Sequence, residues 1–264
     1  REYLDAAKSA DAVFYFGGLS HADDREAIDR PDMVLPGQQD EIISKLLQAN
    51  ANTVVMMIGG SAVEMPWADQ ANTLLWGWYG GMEAGHAYAD ILFGDANPSG
   101  KMPITLPKKL TDTAPIALND YNAKESLYSE GVFIGYRWFE QQKIKPQFAF
   151  GHGLSYSQFE YSDITISQDK LENDAVAKVT ITVSNTSKIA GAEVAQLYLR
   201  DVQASVPRPL KELKGFKKLW LKAGESQTVS FTLTERDLSF WDINSNNWLA
   251  EKVQFEVMTG SSLE

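Results

Sequence analysis

The sequence predicts an α/β sandwich with a mostly parallel, partial sheet over residues 1–158, followed by an all-β sandwich over residues 159–264. Three observations carry this expectation. Buried apolar runs alternate with amphipathic helical stretches up to about residue 100, the pattern of parallel strands joined by helical crossovers. Gly and Pro then become frequent, and beyond about Tyr161 the apolar period switches to two, with turn residues between segments. A chain of 264 residues is long enough for two domains that each bury a core.

In chain order, a helix at Glu2–Ala10 leads into the apolar run Ala12–Phe16. A second helix near Gln38–Ala49 leads into Thr53–Ile58, and Leu74–Trp78 precedes a third helix near Met82–Leu92. The α/β layer closes in the loops and short strands of NPSGKMP (Asn97–Pro103) and LPKKLTDTAP (Leu106–Pro115). Aromatic residues crowd Tyr128–Phe150, and FGHGLSYSQF (Phe150–Phe159) reads as a tight turn feeding an exit strand. Half-buried strands are expected at Ala177–Asn185, Glu193–Asp201, Ser226–Leu233 and Val253–Gly260. With NTSKIAG and LKAGES as turns between them, these strands fit an immunoglobulin or fibronectin type III-like module. The chain has no internal repeat and no low-complexity tract.

Composition narrows the function classes. Hydrophobic residues make up 44% and charged residues 22%, and no apolar run approaches the roughly 20 residues of a membrane helix. A soluble chain without a membrane partner is expected. With 24 Lys+Arg against 35 Asp+Glu, the formal net charge of -11 repels phosphate backbones, so nucleic acid is not an expected partner. The absence of Cys excludes disulfides and thiolate metal sites while leaving the compartment open. The start at REYLDAAKSAD, with neither Met nor an apolar leader, reads as an internal point of a longer polypeptide.

The densest polar constellation of the first part is SHADDREAIDRPDM (Ser20–Met33), with five carboxylates, two arginines and His21. It follows the first strand, and loops after the strands of a parallel sheet are where such sheets bind ligands. The alternative for any one of these carboxylates is a solvated acidic loop. His21 with Asp23, Asp24 and Glu26 has no helix-borne ligand spacing and no Ca²⁺-loop spacing, so metal is not expected. A nucleophile elbow, a dinucleotide fingerprint and a Walker loop are all missing. GWYGGMEAG (Gly77–Gly85) has glycines that could cradle an anion, although a tight strand-to-helix turn is the stronger reading. Trp67, Trp76, Trp78 and Trp138 are candidates for sugar-facing aromatics in a chain whose aromatics mostly pack.

Long phrases then carry a family resemblance. NANTVVMMIGGSAVEMPW (Asn50–Trp67), ADILFGDANPSGKMPITLP (Ala89–Pro107), YSEGVFIGYRWF (Tyr128–Phe139) and FGHGLSYSQFEYS (Phe150–Ser162) resemble the C-terminal α/β sandwich domain of family 3 glycoside hydrolases. GAEVAQLYL (Gly191–Leu199), RPLKELKGFKKLWLKAGES (Arg208–Ser226) and RDLSFWD (Arg236–Asp242) resemble that family's fibronectin type III-like domain. The resemblance implies a retaining, exo-acting enzyme, with no cofactor, that removes terminal β-linked sugars from oligosaccharides or aryl glucosides through a glycosyl-enzyme intermediate. Glucose is the usual sugar in the family, and β-xylosidases share these phrases.

Such an enzyme needs a nucleophilic carboxylate and a general acid/base. In the family the nucleophilic Asp lies in an N-terminal barrel, which this sequence lacks. The acid/base Glu lies in a phrase like (S/T)EGxDRxxxxLP, and REAIDRPDMVLP matches it, which assigns the role to Glu26 with Asp29 and Arg30 as the supporting Asp-Arg. Two departures are visible. Ala27 replaces the usual Gly, which a positive φ would strain, and Met82 stands where the family often has Gln. An acid/base in both half-reactions needs a pKa lifted toward working pH, which burial beneath a sugar and a second carboxylate would supply. Asp23 and Asp24 are expected to stay solvated, and Glu64, Glu83 and Glu130 to serve packing or caps.

The resemblance also implies that part of the α/β sheet precedes Arg1, so that the isolated chain is poorly stable and inactive without the barrel portion. An extracytoplasmic location, secreted or periplasmic, follows from the resemblance alone, and oligomeric state is not readable. Two other readings compete: a non-catalytic carbohydrate- or protein-binding module, which would not need Glu26, and a nucleotide-binding α/β domain, which lacks a phosphate loop.

Overall fold

A computed structural model of the chain describes residues 2–121, 124–171 and 175–263. The chain forms two compact units, one of residues 1–95, 106–127 and 145–147, the other of residues 96–105, 128–144 and 148–264. Residues 96–105, 128–144 and 148–158 thus group with the strands that follow residue 158.

The first unit opens with helix α1 (Glu2–Ser9) and strand β1 (Val13–Gly18). Helix α2 (Gln39–Ala49), strand β2 (Thr53–Ile58), strand β3 (Thr73–Trp76) and helix α3 (Ala84–Phe93) follow. The three strands form a parallel sheet of order β1-β2-β3, with Val13 opposite Thr53 and Val54 opposite Thr73. Strand β2 is central, and Val55, Met56 and Met57 are buried, as expected where a parallel strand is covered on both faces. Strand β1 lies at the edge with Phe14 and Phe16 about half exposed, at 49% and 51%. Asn50 ties α1 to the end of α2 by donating to the carbonyls of Ala7 and Ala10. A short helix α4 (Ala114–Ala117) begins with Pro115 inside its first turn, where the missing N–H costs nothing.

In the second unit, helix α5 (Tyr136–Gln142) precedes the strands β4 (Phe159–Ile166), β5 (Ala177–Asn185), β6 (Gly191–Asp201), β7 (Glu212–Leu221) and β8 (Ser226–Leu233). Helix α6 (Glu235–Leu238), the short strands β9 (Phe240–Asp242) and β10 (Asn247–Leu249), and β11 (Phe255–Gly260) complete it. Two antiparallel sheets, β4-β5-β8 and β11-β6-β7, enclose one apolar core. Alternation supplies that core: Val179, Ile181 and Val183 from β5 meet Leu197 and Leu199 from β6 and Val229 and Phe231 from β8.

Strand β6 departs from half-burial, since nearly all of its residues are covered. The reason lies in the residues that join this unit from earlier in the chain. The Tyr136 ring lies 5.0 Å from Phe150 and 6.3 Å from Tyr198, and Tyr136 Oη accepts the Leu213 N–H at 3.0 Å. Lys101 pairs with buried Glu193 at 3.1 Å and also donates to the Gly153 carbonyl, while Tyr161 Oη donates to Glu193 at 3.2 Å. Burial and then the Glu193 charge push the Tyr161 hydroxyl far above its ordinary range. These contacts explain why residues 96–105, 128–144 and 148–158 belong with the β-strands.

Candidate active site

The loop after β1 is set by the end of that strand. Gly18 has φ 137°, and a Cβ there would lie 1.8 Å from the Ile58 carbonyl oxygen, so only glycine closes the strand this tightly. The Gln39 side chain, at the start of α2, then grips Gly18 on both sides. Its Oε1 accepts the Gly18 N–H at 2.8 Å and its Nε2 donates to the Gly18 carbonyl at 2.8 Å. Leu19 N–H continues the ladder to the Ile58 carbonyl at 2.8 Å. The loop thus departs from a fixed point at the C-terminal end of the sheet.

Its first residues form a turn. The N–H groups of Asp23 and Asp24 both donate to the Ser20 carbonyl at 3.0 Å. Asp23 in return accepts from Ser20 N–H at 2.9 Å and Ser20 Oγ at 2.6 Å, which holds its carboxyl below the usual range. Asp24, expected to be solvated, is instead engaged. Its Oδ2 accepts from Tyr79 Oη at 2.9 Å and from Gly60 N–H at 3.2 Å, and its Oδ1 accepts from Ser61 Oγ at 3.1 Å. Partial burial and then the Asp24 hydrogen bond raise the Tyr79 hydroxyl above its ordinary value. His21 stacks on Tyr79 with ring centroids 6.3 Å apart.

Glu26 comes next, at the tip of a tight turn. Arg25 and Ile28 form an antiparallel bridge, so Glu26 and Ala27 are the two central residues. Ala27 has φ 63°, the left-handed conformation that a second central residue of this kind of turn adopts and that Gly suits best. The strain foreseen from the Gly-to-Ala departure is therefore present in the backbone. Glu26 is exposed, and among the described residues its side chain makes no hydrogen bond or ion pair.

The far foot of the turn is anchored too. Asp29 accepts a hydrogen bond from Tyr121 Oη, a contact that raises the Tyr121 hydroxyl above its ordinary value. Arg30 Nη2 donates to the Ala62 carbonyl and, at 3.2 Å, to Ser61 Oγ, while its buried Nη1 has no partner among the described residues. Beside this stem lies a hollow of about 390 Å³ lined by Leu19, Asp23, Arg25, Ile28, Asp29 and Arg30, among others. The loop thus brings Asp29, Arg30 and the backbone of Glu26 together, and adds Asp24, Ser61 and Tyr79, which sequence reasoning did not connect.

The tryptophans divide. Trp67 is fully buried and its Nε1 donates to Asp40 at 2.7 Å, so it is a packing residue and not a sugar platform. Trp138 is buried as well. Trp76 and Trp78 are half-buried and meet edge to face at 5.8 Å. Glu64 accepts the Leu110 N–H at 2.9 Å, whereas Glu83, at the start of α3, makes no side-chain cap and pairs with His86 at 2.6 Å on the exposed surface.

Residues 1–156 match the family described as Glycosyl hydrolase family 3 C-terminal domain, and residues 193–263 match the Fibronectin type III-like domain. The thermostable beta-glucosidase B of Acetivibrio thermocellus is 42% identical over 262 residues, which cover 99% of this chain and 35% of that protein. A probable beta-glucosidase I of Aspergillus terreus is 41% identical, with 98% of this chain and 32% of the relative covered. Among solved structures, the beta-glucosidase of Kluyveromyces marxianus in complex with glucose superposes with a TM-score of 0.93 at 36% identity. That match covers 100% of this chain and 32% of the other. DesR, a beta-glucosidase from Streptomyces venezuelae in complex with D-glucose, gives 0.91 at 38% identity over 99% of this chain and 33% of the other. The chain spans about a third of the length of these relatives. It belongs to glycosyl hydrolase family 3 and holds that family's C-terminal domain followed by a fibronectin type III-like domain.

Proposed function

We propose that this chain is the C-terminal portion of a retaining, exo-acting β-glucosidase in which Glu26 is the general acid/base and a preceding barrel supplies the nucleophile. The observation that carries the reading is the Arg25–Ile28 turn: it presents an unengaged carboxylate beyond the end of a parallel strand, on a loop tied down at both feet. A solvated acidic loop has no need of such anchoring. The similarity to beta-glucosidases, two of them solved in complex with glucose, supports a glucoside as substrate.

In the first half-reaction, protonated Glu26 gives its proton to the glycosidic oxygen as the nucleophile attacks the anomeric carbon, so the leaving group departs neutral. In the second, the same carboxylate takes a proton from water, and the resulting oxygen displaces the nucleophile from the sugar. Glu26 is exposed in this chain, and the barrel and the bound sugar supply the burial that such a role asks of it. Arg30 donates to Ser61 and the Ala62 carbonyl and so holds the far foot of the turn. The open edge of β1 and the half-exposed Phe14 and Phe16 support a preceding portion that covers them. The same reading puts the protein in the periplasm or outside the cell, which fractionation of the source cells for the activity checks.

The test is Glu26→Ala in the full-length protein. Turnover of a poor leaving group should fall by about 10²–10⁴-fold, and azide should restore the rate on an activated aryl β-glucoside with a β-glucosyl azide as product. Activity undiminished on all substrates would place the acid/base elsewhere.

A further inference from the structure

Glu26 has no side-chain partner among the described residues, so its aim depends on the backbone that carries it. The far foot of its turn is held through Asp29 and Arg30, which the family phrase already singles out. The near foot is tied by Asp24, which gathers donors from two other segments of the unit: Gly60 N–H and Ser61 Oγ after β2, and Tyr79 Oη after β3. From this convergence we infer that Asp24 is the positioning residue of the acid/base, acting with Ser61 and Tyr79 as one clamp. The inference rests on Glu26 being the acid/base.

Three features argue for a clamp rather than an incidental contact. Ser61 Oγ has a single hydrogen, which it gives to Asp24 while accepting from Arg30, so one atom joins the two feet of the turn. Gly60 leaves room for the arrangement, because a Cβ there would lie 2.7 Å from a Tyr79 ring carbon and 3.0 Å from Asp24 Oδ2. The partners are far apart in sequence yet sit at the ends of adjacent parallel strands, where the pairing of β2 with β3 fixes their spacing. A carboxylate accepting from a backbone N–H and two hydroxyls at once is held from several directions, which restricts the rotation of the loop about its stem.

A mispositioned acid/base has a signature that a loss of folded enzyme lacks. Proton donation matters for a poor leaving group and hardly at all for a good one, so kcat/KM separates the two cases. In the full-length protein, Asp24→Asn and Ser61→Ala should lower kcat/KM for cellobiose about tenfold to hundredfold. The same variants should leave 2,4-dinitrophenyl β-glucoside within about twofold. Tyr79→Phe, which removes one hydroxyl from an exposed ring and cannot unfold the protein, should shift the ratio in the same direction by less. Proportional losses on both substrates, or unchanged values on both, overturn the clamp. Glu26→Gln measured in parallel keeps the two claims apart: if it shows no leaving-group dependence, the assignment of Glu26 fails. If it shows that dependence and the Asp24 variants do not, only the clamp fails.

Discussion

The two units of this chain solve the same problem, burying one face of a sheet, to different degrees. The sandwich closes on itself: β5 and β8 on one sheet and β6 and β7 on the other enclose a shared core whose central residues, such as Val179 and Leu197, are fully buried. The α/β unit stays open. Its sheet has three strands among the described residues, its edge strand β1 leaves Phe14 and Phe16 about half exposed, and its most chemical loop leaves that same edge strand. The comparison teaches that the closed core and the candidate site lie in different parts of the chain. Under the proposed function, the open part is finished by polypeptide beyond it.

Core truncation should expose the difference most strongly. Ile181→Ala, deep in the sandwich, should cost about 2–5 kcal/mol in urea unfolding, while Phe14→Ala in the same chain should stay within about 0.5 kcal/mol. Equal costs would mean that β1 is as well packed as β5, and the contrast would be gone.

A smaller effect concerns acid. Arg208 reaches Glu212 at 2.9 Å, Asp201 at 3.2 Å and the Leu238 carbonyl at 2.7 Å, tying β6, β7 and α6 together. Burial alone would push the Glu212 carboxyl upward, but the hydrogen bond and charge of Lys214 and the charge of Arg208 outweigh it and hold the group below its usual range. A carboxyl depressed in the folded state contributes fully above the ordinary glutamate value of about 4.3 and loses that contribution as pH falls through the folded value. The sandwich should therefore melt at lower temperature below about pH 4, and Glu212→Gln should flatten this slope. An unchanged slope would remove Glu212 from the account.

The smallest effect belongs to the Arg25–Ile28 turn. Ala27→Gly relieves a left-handed Ala at about 1–2 kcal/mol but adds freedom to the unfolded chain, leaving a net gain of about 0.5–1 kcal/mol in the full-length protein. A loss of stability would show that Ala27 makes contacts which outweigh its backbone strain.

Much of the fold was legible because its signals are local. Thr53–Ile58, Ala177–Asn185 and Ser226–Leu233 are apolar or alternating runs between turn residues, and the strands begin and end where those runs do. The positive φ at Ala27 was legible too, as a small residue where a glycine was expected. Strand β7 was hidden, because Lys217 and Lys218 break its alternation and its register shifts opposite Leu197 and Tyr198. Helix α5 was hidden by its aromatic content, which serves packing against Phe150 and Tyr198. At the candidate site, Glu26, Asp29 and Arg30 were singled out through a contiguous phrase. Asp24 was read as solvated because its partners Gly60, Ser61 and Tyr79 lie far along the chain, and only the strand order brings them together.

The division between a closed sandwich and an open α/β sheet is tested most directly by amide hydrogen exchange, measured on this chain alone and on the full-length protein. The expected result is strong protection of β5 and β6 in both, with β1 and β2 protected strongly only in the full-length protein. Equal protection of β1 and β5 in the isolated chain would contradict the account, because the α/β unit would then need nothing beyond itself to complete its sheet.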